Sequence, residues 1–202
     1  MHIGLTGGVA SGKSTVAEML GALGAHILDA DLMARELVEP GQPAYAEIVR
    51  QWGPQYLLAD GCLDRSLLRD RIFSDPVAKK WLESLLHPRI RQLFLDRSQS
   101  LQKDQPEAVI VWVVPLLVEN HYQALLDQVL VIDCPSALQI ERLQLRPGWS
   151  NAQIEAVLAA QLPRAERNAA ADYVISNEKD VQALREAILL YWDTVYKARG
   201  FA

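Results

Sequence analysis

The first apolar run, residues 2–6, is short and unbroken and stops at two glycines, Gly7 and Gly8. A continuous run of this kind predicts a strand buried on both faces. Apolar positions then recur at helical spacing, at Val16, Met19, Leu20 and Leu23, which predicts a helix over 14–23 closed by Gly24. Residues 26–28 read as a second strand that ends in Asp29-Ala30-Asp31. From Leu32 to about Gln102 the period is helical throughout and no strand is expected. Asp64 and Asp75 are placed there as helix starts, and Pro88 as a first-turn proline. Runs rich in β-branched residues at 108–114 and 128–133 predict two more strands. Residues 136–146 and 151–161 are helical, separated by the break Pro147-Gly148. A short strand at 173–176 and a long helix over 180–197 close the pattern.

Strands that alternate with helices and read as solid apolar runs imply an α/β fold, a parallel sheet with helices on both faces. Ligands of such sheets bind beyond the carboxyl ends of the strands. Thr6-Gly7-Gly8, Asp29–Asp31, Pro115 to Glu119 and Asp133-Cys134 all fall at strand ends and are expected to surround one cleft.

Composition narrows the picture in a few places. A length of 202 residues without repeats or linkers points to a single domain, 1–202, able to bury a core without staples. A net charge of −5 argues against a nucleic-acid partner. The two cysteines, Cys62 and Cys134, lie near no histidine at ligand spacing and are expected to be reduced core thiols. The longest apolar run, 109–118, is about half of a bilayer span, and no charged-then-apolar leader precedes residue 2, so a cytoplasmic protein with no membrane partner is expected.

The chemistry starts at Gly7. Gly7 to Ser14 fits G-x-x-x-x-G-K-[ST] between a strand and a helix, the context this motif requires. Glycines let backbone N–H groups close on phosphate oxygens, and the helix aims its positive end at the same point. The cradle is assigned to Gly8, Val9, Ala10, Ser11, Gly12, Lys13, Ser14 and Thr15. Lys13 is expected on the β- and γ-phosphates, the Ser14 hydroxyl on Mg²⁺, and Thr15 near the α-phosphate of ATP. Asn177-Glu178-Lys179-Asp180 resembles a guanine-reading N-K-x-D, but its lysine is one place late. Asp133 ends an apolar strand as a metal-ordering aspartate would, yet a helix follows at once, which favours a helix cap. A small phosphotransferase is the class left.

Asp29 and Asp31 would share one side of an extended strand end. Either could accept a proton from an attacking hydroxyl, reach the metal through water, or cap the helix near Leu32, a role that suits Asp31. Arg142 and Arg146 are four apart on one predicted helix face, with Gln139 a turn earlier and a Pro-Gly hinge behind. They read as a lid that lowers cations over the nucleotide, or as a solvated basic face.

These residues together resemble the dephospho-CoA kinase family over nearly the whole chain. The phosphate loop is generic. More specific are Asp29-Ala30-Asp31, Asp64-Arg65, the H-P-x-I-R of His87-Pro88-Arg89-Ile90-Arg91, Pro115-Leu116-Leu117 with Glu119, the set Gln139, Arg142 and Arg146, and Gln161, Ala171-Asp172 and Asn177. The resemblance implies a P-loop NTPase fold of nucleoside-monophosphate-kinase type, with a helical acceptor-binding region about 32–105 and a helical lid about 138–168. It implies that ATP's γ-phosphate passes to the ribose 3′-hydroxyl of dephospho-CoA, the last step of coenzyme A biosynthesis, in a monomer or small homo-oligomer. Asp31 would be the base, and Lys13 with Arg142 would stabilise the moving group. Arg142, Arg146 and Asn177 would meet the nucleotide, and Asp31, Arg65, His87, Arg91, Leu116 and Glu119 the acceptor. Three departures stand out. Val118 replaces a usual Phe, Val157 stands where an arginine is common, and Arg167 replaces a lysine and keeps its charge.

Overall fold

The computed structural model describes residues 1–198. It divides into two compact units. One comprises residues 1–28 and the chain from Gln105 onward; the other is Asp29–Asp104.

The first unit carries a five-stranded sheet in the order β2-β3-β1-β4-β5, with β1 His2–Gly7, β2 His26–Asp29, β3 Ile110–Val113, β4 Gln128–Asp133 and β5 Tyr173–Ser176. β1 pairs parallel with both β3 and β4, and β4 parallel with β5, so β1 is central and the loop that leaves it is flanked by other strand ends. One face of the sheet packs on α1 (Lys13–Ala22) and on α9 (Val181–Ala198), joining Ile3, Leu5, Val111 and Ile132 to Val16, Leu20, Ile188 and Trp192. Ile3, Leu5, Val16 and Leu20 are fully buried, and burial of such a side chain stabilises by about 1.5–3 kcal/mol. On the other face Trp112 meets Tyr122 edge-on with ring centroids 6.4 Å apart. Gly24 closes α1 as expected, at φ +103, with Ala25 N–H on Leu20 O and Gly24 N–H on Gly21 O, the paired bonds of a Schellman turn.

Three further helices of this unit follow β4: α6 Ser136–Gln144, α7 Asn151–Ala159 and α8 Arg164–Ala169. The sequence pattern does not announce α8, which is only six residues long and starts behind Pro163. α6 ends before Arg146, because its C-cap is Leu145, so Arg142 and Arg146 do not share a helix face.

The second unit is helical, as the period indicates: α2 Ala30–Leu37, α3 Pro43–Trp52, α4 Arg65–Ser74 and α5 Pro76–Asp104, with a single isolated bridge between Leu57 and Leu63. Its core joins Ala44, Ile48, Leu63, Leu68 and Leu85, and Trp52 lies edge-on to Trp81 at 4.9 Å. The Asp64 carboxylate accepts from Ser66 and Leu67 N–H and caps α4; Asp75 accepts from Val77 and Ala78 N–H at the start of α5.

Pro88 is not a first-turn proline. It lies inside the 29-residue α5, whose first-turn proline is Pro76. An internal proline removes one helical bond and crowds the carbonyls a turn earlier. The carbonyl that loses its helical donor is Ser84 O; at the next one, Arg89 donates from Nη1 to Leu85 O at 2.7 Å, while its Nη2 reaches Glu47 at 2.6 Å. α5 continues because Leu85, Ile90 and Phe94, on either side of the proline, are buried.

Candidate active site

The phosphate loop is shaped by contacts from outside it. The loop turns through Ala10 at φ +56 and Gly12 at φ +99. A non-glycine residue in that region costs about 1–2 kcal/mol, so Ala10 needs support. Arg142 supplies it by donating to Ala10 O at 3.2 Å and to Asn177 O at 3.0 Å. Asn177, which is buried, donates from Nδ2 to Ser11 O at 2.7 Å, and its own N–H reaches Asp133 O across the sheet end. Gln161 Oε1 accepts from Val9 N–H at 3.1 Å. Lys13 Nζ donates to Gly7 O and Gly8 O, both at 2.9 Å, which draws the lysine head over the bend. Gly8 is closely approached, since a Cβ there would stand 1.8 Å from Gln139 Nε2 and would force that side chain to move. Gly12 is required by both its φ and by Asn177, whose Nδ2 would lie 2.3 Å from an added Cβ.

The arrangement fits an anion. Ser11 Oγ is buried and has no hydrogen-bond partner, and Ser14 and Thr15 present their hydroxyls on the exposed first turn of α1. A buried hydroxyl without a partner is costly unless a ligand completes it. The first turn of α1 contributes its free N–H ends to the same point.

Other strand ends of the sheet unit converge there. Thr6 Oγ1 donates to Pro115 O at 3.2 Å, which ties the end of β1 to the segment carrying Leu116 and Glu119. Leu116 is half-buried beside the fully buried Leu117. Glu119 Oε1 accepts from Leu162 N–H at 2.9 Å, so this acid positions the chain just ahead of α8. Arg146 is exposed beyond the end of α6.

Asp133 is not a helix cap. Pro135 occupies the N-cap of α6 without a side-chain bond, and the Asp133 carboxylate is held by Arg164, through Nε at 2.8 Å and again through Nη2 at 2.5 Å. The guanidinium holds this carboxyl below its ordinary value. Both cysteines are free thiols. Cys134 is buried beside Arg142, and burial pushes its thiol up; Cys62 is partly exposed and does not belong to the core.

In the helical unit, the N-cap of α2 is Asp29, whose Oδ1 accepts from Asp31 N–H at 2.7 Å and Leu32 N–H at 3.2 Å. The two acids therefore do not form one extended face. Asp29 is extended and capping, and Asp31 is an acidic residue in the first turn of the helix. The H-P-R-I-R motif divides its labour. Ile90 is buried, Arg89 braces α5 against Glu47, His87 is half-buried and Arg91 exposed. Arg65 is exposed at the first position of α4.

Sequence reasoning passed over Arg164, Gln161's grip on Val9 and the buried position of Arg167. The resemblance names Gln161 and Arg167 without their contacts, and for Arg164 the signal is its spacing to Arg167 behind Pro163, which marks one face of a short helix.

The dephospho-CoA kinase family model matches residues 1–183. A dephospho-CoA kinase from Aeromonas hydrophila is 48% identical over 193 residues, covering 95% of this chain and 93% of that protein. Among solved structures, a dephospho-CoA kinase from Campylobacter jejuni superposes with a TM-score of 0.74 at 27% identity, over 98% of each chain. Shikimate kinase from Acinetobacter baumannii, at 18% identity and a TM-score of 0.55 over 98% of this chain and 93% of its own, shares the fold. With a family match that runs from the phosphate loop through the helical unit to α9, the chain belongs to the dephospho-CoA kinase family.

Proposed function

We propose that this protein transfers the γ-phosphate of ATP to the ribose 3′-hydroxyl of dephospho-CoA, releasing CoA and ADP. The observation that carries this reading is the family match, which extends through the helical unit as well as the phosphate loop. The 3′-oxygen attacks the γ-phosphorus, the bond from that phosphorus to the β–γ bridging oxygen breaks, and ADP departs with the electron pair. The hydroxyl proton passes to Asp31, an acid in the first turn of α2, the helix that Asp29 caps. Lys13 and the loop N–H groups hold the β- and γ-phosphates, and Lys13 with Arg142 balances charge that spreads over the transferring group. Ser14 would hold Mg²⁺, which when bound neutralises the same phosphates. Arg146 and Asn177 complete the nucleotide side, Asn177 by fixing the loop through Ser11 O. Arg65, His87, Arg91, Leu116 and Glu119 serve the acceptor, with residues about 32–105 as its region and about 138–168 as a lid, in one functional domain. The protein acts in the cytoplasm on a small molecule.

The test is product formation. Purified protein with Mg·ATP and dephospho-CoA should yield CoA phosphorylated at the 3′ position. A panel of other acceptors, including shikimate and nucleoside monophosphates, should release ADP at least about a hundredfold more slowly, because their hydroxyls lack the binding contacts that orient the true acceptor. Folded, ATP-binding protein that leaves dephospho-CoA unchanged would refute the proposal.

A further inference from the structure

Behind the Gly8–Val9 edge of the phosphate loop, α6, α7 and the chain leading into α8 enclose a cavity of about 310 Å³, whose polar wall is Ser136, Gln139, Gln161, Arg164 and Arg167. Two of these donors are unusual. Gln139 is 3% exposed and its Nε2 has no partner. Arg167 is 5% exposed; its Nη1 donates to Leu162 O at 3.3 Å, and its Nε has no partner. Both line the cavity and their ends lie together beside Gly8, since a Cβ on Gly8 would lie 1.8 Å from Gln139 Nε2 and 3.2 Å from Arg167 Nη2.

The neighbouring acids do not neutralise Arg167. Asp133 gives its carboxylate to Arg164, and Glu119 gives an oxygen to Leu162 N–H. No carboxylate lies within ion-pair distance of Arg167 among the described residues. A buried guanidinium without a direct counter-charge is costly, and burial accordingly presses its pKa down. A fixed cation, an orphan amide donor and a hydroxyl around an open cavity together suit an anion with several oxygens.

We propose that this cavity is an anion site that accepts a phosphate or pyrophosphate group, with Arg167 as its cation and Gln139 as its neutral donor. The site is separate from the cradle of Lys13 and Ser14 but coupled to it, because Gln161 lines the cavity and also holds Val9 N–H. It goes beyond the transfer reaction and does not depend on which acceptor that reaction uses.

Binding of inorganic pyrophosphate to the full chain tests this without turnover. In a Lys13→Met background, which weakens the loop's own hold, pyrophosphate should still raise the melting temperature. Adding Arg167→Gln should weaken pyrophosphate binding about tenfold or more, as expected for loss of a charge-assisted bond. Arg167→Lys should restore part of it. Gln139→Leu leaves every charge in place and should weaken binding by a smaller factor, and it carries the test if Arg167→Gln fails to fold. ATP and dephospho-CoA titrated in the same pair of backgrounds identify the source of the group, as the ligand whose Kd rises with Arg167→Gln; if neither responds, free phosphate or pyrophosphate is the ligand. The proposal is overturned if Lys13→Met alone abolishes pyrophosphate binding, if the Arg167 and Gln139 variants leave it unchanged, or if acetate binds as well as pyrophosphate.

Discussion

The sheet unit and the helical unit present their candidate residues in opposite ways. In the sheet unit four of them are held by other protein groups, Lys13 by two carbonyls, Arg142 by Ala10 and Asn177, Asn177 by Ser11 and Glu119 by Leu162, while Ser14, Thr15 and Arg146 are exposed. In the helical unit Arg65 and Arg91 stand exposed on helices, and neither forms an ion pair among the described residues. The difference separates two ways of building a site. On the proposed reading, donor phosphates meet a loop whose strained bend is already fixed, so binding does not have to order it. Helix-borne side chains keep their rotamer freedom and lose it only when a ligand arrives. Variants of the first kind should disturb stability and turnover together, and variants of the second kind should change acceptor affinity alone.

Asp31 is the sharpest breaking point, because Asp29 caps α2 while the proposed proton transfer falls on Asp31. Asp31→Asn should cut kcat about 10²-fold or more while ATP affinity and melting temperature hold. Asp29→Ala should do the reverse, costing about 1 kcal/mol of stability through the lost cap. If Asp31→Asn turns over at the wild-type rate, the base lies elsewhere.

Gly8→Ala should cost about 1–3 kcal/mol of stability, the usual range for overpacking, because the new methyl meets Gln139 Nε2 on one side and Arg167 on the other. ATP binding should weaken in the same variant, as measured by calorimetry. A Gly8→Ala protein with unchanged melting temperature and Kd would show that the loop is not held from behind.

Arg91→Ala probes the other unit. KM for dephospho-CoA should rise about tenfold, as for loss of one charged contact, with kcat within about twofold. Thermal denaturation should move by less than the equivalent of about 0.5 kcal/mol. A stability loss as large as that of Gly8→Ala would erase the contrast between the units.

The two units also differ in how far the sequence reveals them. The strands at 128–133 and 173–176 coincide with β4 and β5, and Asp64, Asp75 and Gly24 act as the local signals indicate, because each rests on period or on one short-range bond. Misreadings occur where tertiary contacts override a local rule. Pro88 reads as a helix start, but α5 runs through it because Leu85, Ile90 and Phe94 are buried on both sides. Either Asp29 or Asp31 could cap the next helix by sequence, and Asp29 takes that place. Asp133 reads as a cap, and an arginine 31 residues away holds it instead. The phosphate loop itself is plain from its spacing. Its outside supports, Gln161 on Val9 and Arg142 on Ala10, join residues 152 and 132 positions apart and leave no local trace.

The smallest expected effect lies in the Asp133–Arg164 pair, and pH sets its sign. Arg164 holds the carboxyl below its usual 3.8, so the folded state binds that proton more weakly than the unfolded chain does. The pair therefore stabilises the fold fully above about pH 4–5 and loses its contribution as pH falls below 3.8 toward the folded value. The Arg164 side chain is 43% exposed, and solvent screening limits the contribution to about 1 kcal/mol. Asp133→Asn should consequently lower stability by about that amount at pH 7, with a gap to the wild type that is flat from pH 8 to 5 and closes as pH falls below the ordinary carboxylate value of 3.8. Chemical denaturation across that range measures the gap. A gap that persists unchanged at the acid end would mean that the loss in Asp133→Asn comes from packing around β4 rather than from the charge, and the sheet unit would then owe the placement of α8 to shape alone.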